Sequence, residues 1–203
     1  MSSFFTKRRE PFRFMVWLGI AGSVILFTIL LAAYIVRKTG PGWVDAPLPN
    51  TFLLSTVVIL LSSLTLHNAN TAFRQENFPT YRSYMATTLV LGTLFILLQA
   101  WGWQQMLQAG IRLEGNPAGG FIYILSGVHL LHILIGLIFL VIALVEALRR
   151  RQYVDSFVYS VNPPNQLKIR LITLYWHFVD VLWVGLFLFL LIHHGVDLRA
   201  LLQ

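Results

Sequence analysis

Two short stretches place titratable side chains at helical spacing inside apolar sequence. His177 and Asp180 stand three residues apart, flanked by Trp176 and Trp183. A helix carries residues at that step on one face. His129 and His132 repeat the step, with Gly127 and Gly136 nearby, and Ser126, His129 and Ile133 share a face. Asp180 is the one carboxylate well inside an apolar run. A charged Asp at mid-bilayer costs about 2.5–3.5 kcal/mol on insertion scales. Pairing, hydrogen bonding or protonation must offset that. For His177 and Asp180 the chemistry stays open between a hydrogen-bonded pair that docks one helix on another, proton handling, and contact with a lipid headgroup. For His129 and His132 it stays open between interhelical hydrogen bonding and ligation of a metal or haem.

The elements that must position these residues are membrane helices. The chain has 203 residues, 57% hydrophobic and only 11% charged, with mean hydropathy +0.70. A soluble domain carries about 25% charged residues, so a soluble enzyme and a disordered chain are excluded. Zero cysteines exclude disulfides, thiolate zinc, iron–sulfur clusters and cysteine nucleophiles. No phosphate-loop or nucleophile-elbow motif occurs, and no aromatic-and-basic face supports nucleic-acid binding. Five segments reach the roughly 20 apolar residues a span needs, at about 14–36, 51–73, 84–107, 120–147 and 172–194. The expected fold is therefore all-α, one five-helix transmembrane domain over 1–203. Period-two alternation is absent, against a β-barrel. The first run is too long for a signal peptide's apolar core of about 7–15 residues, so it is read as part of the mature chain.

Orientation follows from Lys and Arg. Lys7, Arg8, Arg9, Arg13, Arg74, Arg82, Arg149, Arg150, Arg151, Lys168 and Arg170 fall on one side; Arg37, Lys38, Arg112 and Arg199 fall on the other. The richer side is expected in the cytoplasm, which puts the N-terminus inside and the C-terminus in the periplasm. Depth arithmetic weighs against haem ligation by His132 and His177 together. His132 lies near the middle of its span and His177 about six residues off centre, an axial mismatch of roughly 9 Å. A di-metal site would need more buried carboxylates than Asp180 alone. Gln99 and Trp103 share a face of the third span. Ser55, Ser62, Ser63 and Thr65 suit the second span to close packing. His67, Asn68, Asn70, His193 and His194 are expected at the interfaces. Lys168 and Arg170, at the cytoplasmic start of the last span, could hold a lipid phosphate or simply set topology.

The string Tyr175-Trp176-His177-Phe178-Val179-Asp180-Val181-Leu182-Trp183 closely resembles the last-helix signature of subunit III of haem–copper oxidases. Ser126-Gly127-Val128-His129-Leu130-Leu131-His132-Ile133 with Gly136 is similar to that family's paired-histidine helix. Leu48-Pro49-Asn50-Thr51, Ser62-Ser63-Leu64-Thr65, Ala32-Ala33-Tyr34 and Gln99 extend the resemblance over nearly the whole chain. The chain departs from the pattern at Val24 and Gly102, and at Lys168 and Arg170, where the family often has carboxylates. The resemblance implies a five-helix bacterial form in the inner membrane with no catalytic residue, metal or redox cofactor of its own. Haem and copper would sit in partner subunits I and II. This chain would pack on subunit I, with subunit II and a small subunit IV as further partners, bind phospholipid and support proton uptake. His129, His132, His177, Asp180, Trp176, Trp183 and Gln99 would then form the polar interior or a lipid cleft. Cytochrome c or quinol as electron donor, and membership of a respiratory supercomplex, stay open. Two other classes also remain: a haem-b membrane anchor using His129 or His132, and a small-solute or ion permease using Asp180.

Overall fold

The structure is a computed structural model that describes residues 10–194 apart from Glu114 and Arg151; for Glu10 and Pro11 only the backbone is described. Lys7, Arg8, Arg9, Arg151 and Arg199, counted above for orientation, lie outside the described residues. Among the described residues six helices follow in order: α1 (Glu10–Lys38), α2 (Asn50–Arg74), α3 (Phe78–Gln108), α4 (Pro117–Arg149), α5 (Tyr153–Val161) and α6 (Pro163–His194). There is no strand among the described residues. All but α5 are long and apolar enough to cross a membrane.

The helices outrun the apolar runs at their starts, and all but the last do so at their ends. The last begins at Pro163 rather than near 172, and the 149–170 connection contains the short helix α5. Hydropathy reports the lipid-facing length, whereas helix ends are set by capping. Asn116 caps α4 by accepting from the Ala118 amide at 3.0 Å, with Pro117 at the first turn, where its missing N–H is not needed. Asn77 caps α3 through the Thr80 amide at 3.3 Å. The α2–α3 connection is so tight that Glu76 takes a positive φ of 60°.

α2, α3, α4 and α6 form a closed ring, each packing on the next, and α6 returns to α2. α1 lies outside it, on α4 and α6. Cross-helix bonds fix the directions. Thr65–Thr88 and Gln99–Ser55 set α2 against α3. Trp103–Ser126 sets α3 against α4, and Tyr175–His132 sets α4 against α6. All these neighbours are antiparallel. Arg74, Arg82, Arg149 and Lys168 therefore gather at one end, called the basic end below.

In lipid, helix association rests on close packing and interhelical hydrogen bonds rather than on escape from water. The bundle shows both. Trp176 is almost fully buried in a slot between two glycines. A Cβ on Gly92 would lie 2.7 Å from its indole, and one on Gly136 would lie 3.0 Å from it. At Gly102 a Cβ would meet the Phe52 ring at 2.5 Å and Thr51 Oγ1 at 2.8 Å. This packing leaves no room for a carboxylate side chain at that position. Val24 is 48% exposed on α1, so its isopropyl group faces outward.

Candidate functional site: the polar interior of the bundle

The 175–183 string uses α6 to present polar tips to α2. Trp176 Nε1 donates to Ser62 Oγ at 3.1 Å. Trp183 Nε1 donates to Thr56 Oγ1 at 3.0 Å. His177 Nδ1 lies 2.7 Å from Ser63 Oγ. Each hydroxyl comes from a helical turn: Ser62 donates to the Ile59 carbonyl and Thr56 to the Phe52 carbonyl. Three side chains at steps of one and six thus meet one helix, and the seam locks register. Gln99 joins the same region from α3, donating to Ser55 Oγ at 2.7 Å.

His177 and Asp180 share a face, as their spacing predicts. Their closest atoms are 4.0 Å apart, too long for a hydrogen bond. The His177 nitrogen faces Ser63 instead. Asp180 is 2% exposed, and both carboxylate oxygens lack a hydrogen-bond partner among the described residues. In place of a direct His177–Asp180 bond, Ser63 bonds His177 and stands next to the Asp180 carboxyl group.

The two histidines of α4 divide between two neighbours. His129 is fully buried, with its ring 4.9 Å from the Trp183 ring and 5.9 Å from the Phe95 ring. Neither ring nitrogen has a hydrogen-bond partner among the described residues. His132 points the other way, to α1. Its Nδ1 is 2.8 Å from the Val128 carbonyl, which can only accept, so Nδ1 carries a proton. In the neutral ring Nε2 then accepts from Ser23 Oγ at 2.9 Å, and the single Ser23 proton goes to His132 rather than to the nearby Gly19 carbonyl.

Contacts between α4 and α6 revise the depth arithmetic. Gly136 meets Trp176 and His129 meets Trp183, so His132 lies level with residue 180. Its offset from His177 is about three residues, roughly 4.5 Å rather than 9 Å. What keeps the two histidines from a common ligand is direction: one bonds α1 and the other bonds α2. Among the described residues no three of His, Asp and Glu gather as a metal site would require.

At the basic end, Lys168 Nζ is 2.8 Å from Glu146 Oε2. The Tyr159 hydroxyl donates to the same oxygen at 2.8 Å. Burial, reinforced by that bond, holds the Tyr159 phenol well above its ordinary pKa. Arg150 stacks over the Tyr159 ring at 4.1 Å. Arg82 donates to the Ala147 and Arg150 carbonyls and to Ser156. The charge of Lys168 is thus already engaged, whereas Arg170 is exposed and lines a groove. At the opposite end His194 bridges helices. Its Nδ1 donates to the Ala46 carbonyl at 3.0 Å, and its Nε2 accepts from the Tyr34 hydroxyl at 2.8 Å. Trp43, Phe121 and Phe189 pack around the Tyr34 ring.

Sequence reasoning marked Ser55, Ser62, Ser63 and Thr65 as packing residues without their partners. It passed over Thr56, Gly92 and the Ser23–His132 bond. Gly92 in an apolar run opposite a helix with Gly136 was a signal available for the Trp176 slot.

Comparison with known proteins draws these features together. The family model described as Cytochrome c oxidase subunit III matches residues 10–195. The chain is 26% identical over 175 residues to the cytochrome c oxidase subunit 3 of Bacillus sp. (strain PS3), covering 84% of this chain and 80% of that protein. It is 24% identical to the probable quinol oxidase subunit 3 of Staphylococcus saprophyticus, covering 84% and 83%. It is 31% identical over 136 residues to the cytochrome c oxidase subunit 3 of Pelomedusa subrufa, covering 67% of this chain and 48% of that one. The match spans every membrane helix described above, and with it the chain belongs to the cytochrome c oxidase subunit III family.

Proposed function

We propose that this chain is a non-catalytic subunit of a bacterial haem–copper respiratory oxidase. It is a multi-pass membrane protein that packs on the haem-bearing subunit I, with subunit II and a small subunit IV as further neighbours. It binds phospholipid and sustains proton uptake, and the reduction of O2 to water takes place on its partners. One observation carries this reading: Trp176, Val179, Asp180 and Trp183 of the 175–183 string are buried in the bundle, and its indole and imidazole groups are bonded to α2 hydroxyls. Such a string builds a scaffold between α6 and α2. By the positive-inside rule the basic end faces the cytoplasm, which puts Arg74, Arg82 and Arg170 on the side from which protons are taken up. Asp180, with no hydrogen-bond partner for either oxygen, is the group we assign to proton support. Relatives named for cytochrome c and for quinol leave the donor to the other subunits.

Affinity purification of this chain from its native membranes in mild detergent tests the reading. Recovery with a large haem- and copper-bearing subunit is the expected result. Recovery alone, with or without haem, would overturn it.

A further inference from the structure

Thr28, Thr87 and Thr93 are exposed along the spans, and each donates to a carbonyl one turn earlier in its own helix. The outer face of the α2–α6 seam differs. The His177 side chain is 33% exposed. Its Nδ1 lies 2.7 Å from Ser63 Oγ, and its accessible Nε2 has no hydrogen-bond partner among the described residues. Ser55, Thr56, Ser62 and Thr65 all donate to carbonyls of α2. Ser63 does not, and the neighbouring Asp180 oxygens have no hydrogen-bond partner among the described residues. The Ser63 proton therefore goes to His177 Nδ1, and the neutral ring carries its own proton on Nε2. The contacts of Gly136 with Trp176 and of His129 with Trp183 put His177 level with Ile135. Ile133 is the middle of α4, so the imidazole stands about 3 Å from it along the axis. An N–H thus faces outward near mid-bilayer, where hydrocarbon offers no acceptor.

Two further features mark this face. His67, one turn from Ser63 on α2, is exposed and stands near His177. Gly185 shares the exposed side of α6 with Val181 and Leu188, and a Cβ there would meet nothing within 4 Å. Packing within this chain does not call for a glycine at that place. A glycine weakens a helix interior, but on an outward face it lets a neighbouring helix come close. From this we infer that the outer face of the α2–α6 seam is the docking surface for a transmembrane helix of the haem-bearing subunit, with His177 Nε2–H donating to an oxygen of that helix. Acyl chains cannot accept this hydrogen bond. A second copy of this chain is a poor match: a two-fold axis along the membrane normal brings the two imidazoles to one depth, donor against donor. A different subunit with a hydroxyl, amide or carbonyl oxygen at that depth completes the bond, and Gly185 gives its helix room. The inference rests on the oxidase reading above and adds to it the face and the anchoring atom.

The test uses the whole complex in native membranes, with a benzophenone amino acid placed at Val181 on this face or at Leu97 on the outward face of α3, both exposed. Light-driven capture of the haem-bearing subunit from position 181 and not from position 97 is the expected result. Capture from position 181 of lipid alone, or of a second copy of this chain, would overturn the inference. Retention of the chain on the complex during detergent washing tests the anchoring atom. His177→Asn keeps a polar group where Nδ1 meets Ser63 and removes the outward N–H, so retention should fall several-fold. His177→Gln returns an amide nitrogen near the Nε2 position and should restore most of it. Equal retention of wild type and both variants would count against the bond. Gly185→Leu enters open space within this chain, so the bundle still folds, and it should lower retention; unchanged retention would count against the face. Subunit composition of the wild-type preparation is read alongside. A preparation without a haem-bearing subunit overturns the oxidase reading, and this inference with it. A haem-bearing subunit that is present but captured only from position 97 overturns this inference alone.

Discussion

Two parts of one polar interior behave in opposite ways. Along the α2–α6 seam both buried indole N–H groups have an oxygen, Trp176 on Ser62 and Trp183 on Thr56, and the half-buried His177 bonds Ser63. A turn away, Asp180, His129 and one oxygen of Gln99 have none among the described residues. A buried polar atom without a partner costs about 1–3 kcal/mol, more in hydrocarbon than in water. The seam is explained by packing alone. The unpartnered atoms are not, since an apolar side chain of similar size would serve the bundle as well. On the function proposed above, the difference separates residues that build the bundle from residues that serve the complex.

The largest expected effect is on the packed side of that comparison. Trp176→Ala empties the slot between Gly92 and Gly136 and should destabilise the chain by about 3–5 kcal/mol, read as a fall in the melting temperature of the detergent-solubilised complex. Ser62→Ala leaves the buried Trp176 N–H unpaired and should cost about 1–3 kcal/mol; Ser62→Thr keeps the hydroxyl and should recover part of it. A Ser62→Ala protein that melts like wild type would dissolve the distinction between seam and interior. Ser23→Ala removes the bond to His132 that joins α1 to α4, at about 1 kcal/mol, and should appear as faster proteolysis near α1 before any global loss.

The weaker effects sharpen the comparison. Glu146→Gln breaks a half-exposed ion pair with Lys168 and should cost about 0–1 kcal/mol, less at high salt. Asp180→Asn leaves the His177–Ser63 bond and the indole bonds of the seam in place, so the melting temperature should hold while sustained turnover or subunit retention falls. A large drop in melting temperature for Asp180→Asn would place Asp180 with the seam after all.

Much of this was legible in the sequence. Apolar length marked five spans, and helical spacing put His177 and Asp180 on one face; His129 and His132, at the same spacing, turn to different neighbours. Periodicity says which residues share a face but not which neighbour that face meets. The Tyr34–His194 and Ser23–His132 bonds join residues far apart in the chain, and only packing sets their pairing. The same limit explains why His177 and Asp180 looked like partners: three residues along a helix bring them to 4.0 Å, while Ser63 on the next helix comes closer. Depth also had to be corrected, because span centres drawn from hydropathy missed how far α6 extends toward Pro163.

The central claim is that this polar interior supports an oxidase whose redox centres lie elsewhere. The most direct test compares the purified oxidase with and without this chain, recording the reduced-minus-oxidised haem spectrum and O2 consumption over many turnovers. We predict unchanged haem bands per haem-bearing subunit, a near-normal initial rate, and a much shorter active lifetime without the chain. Loss of a haem band together with the chain would contradict the account.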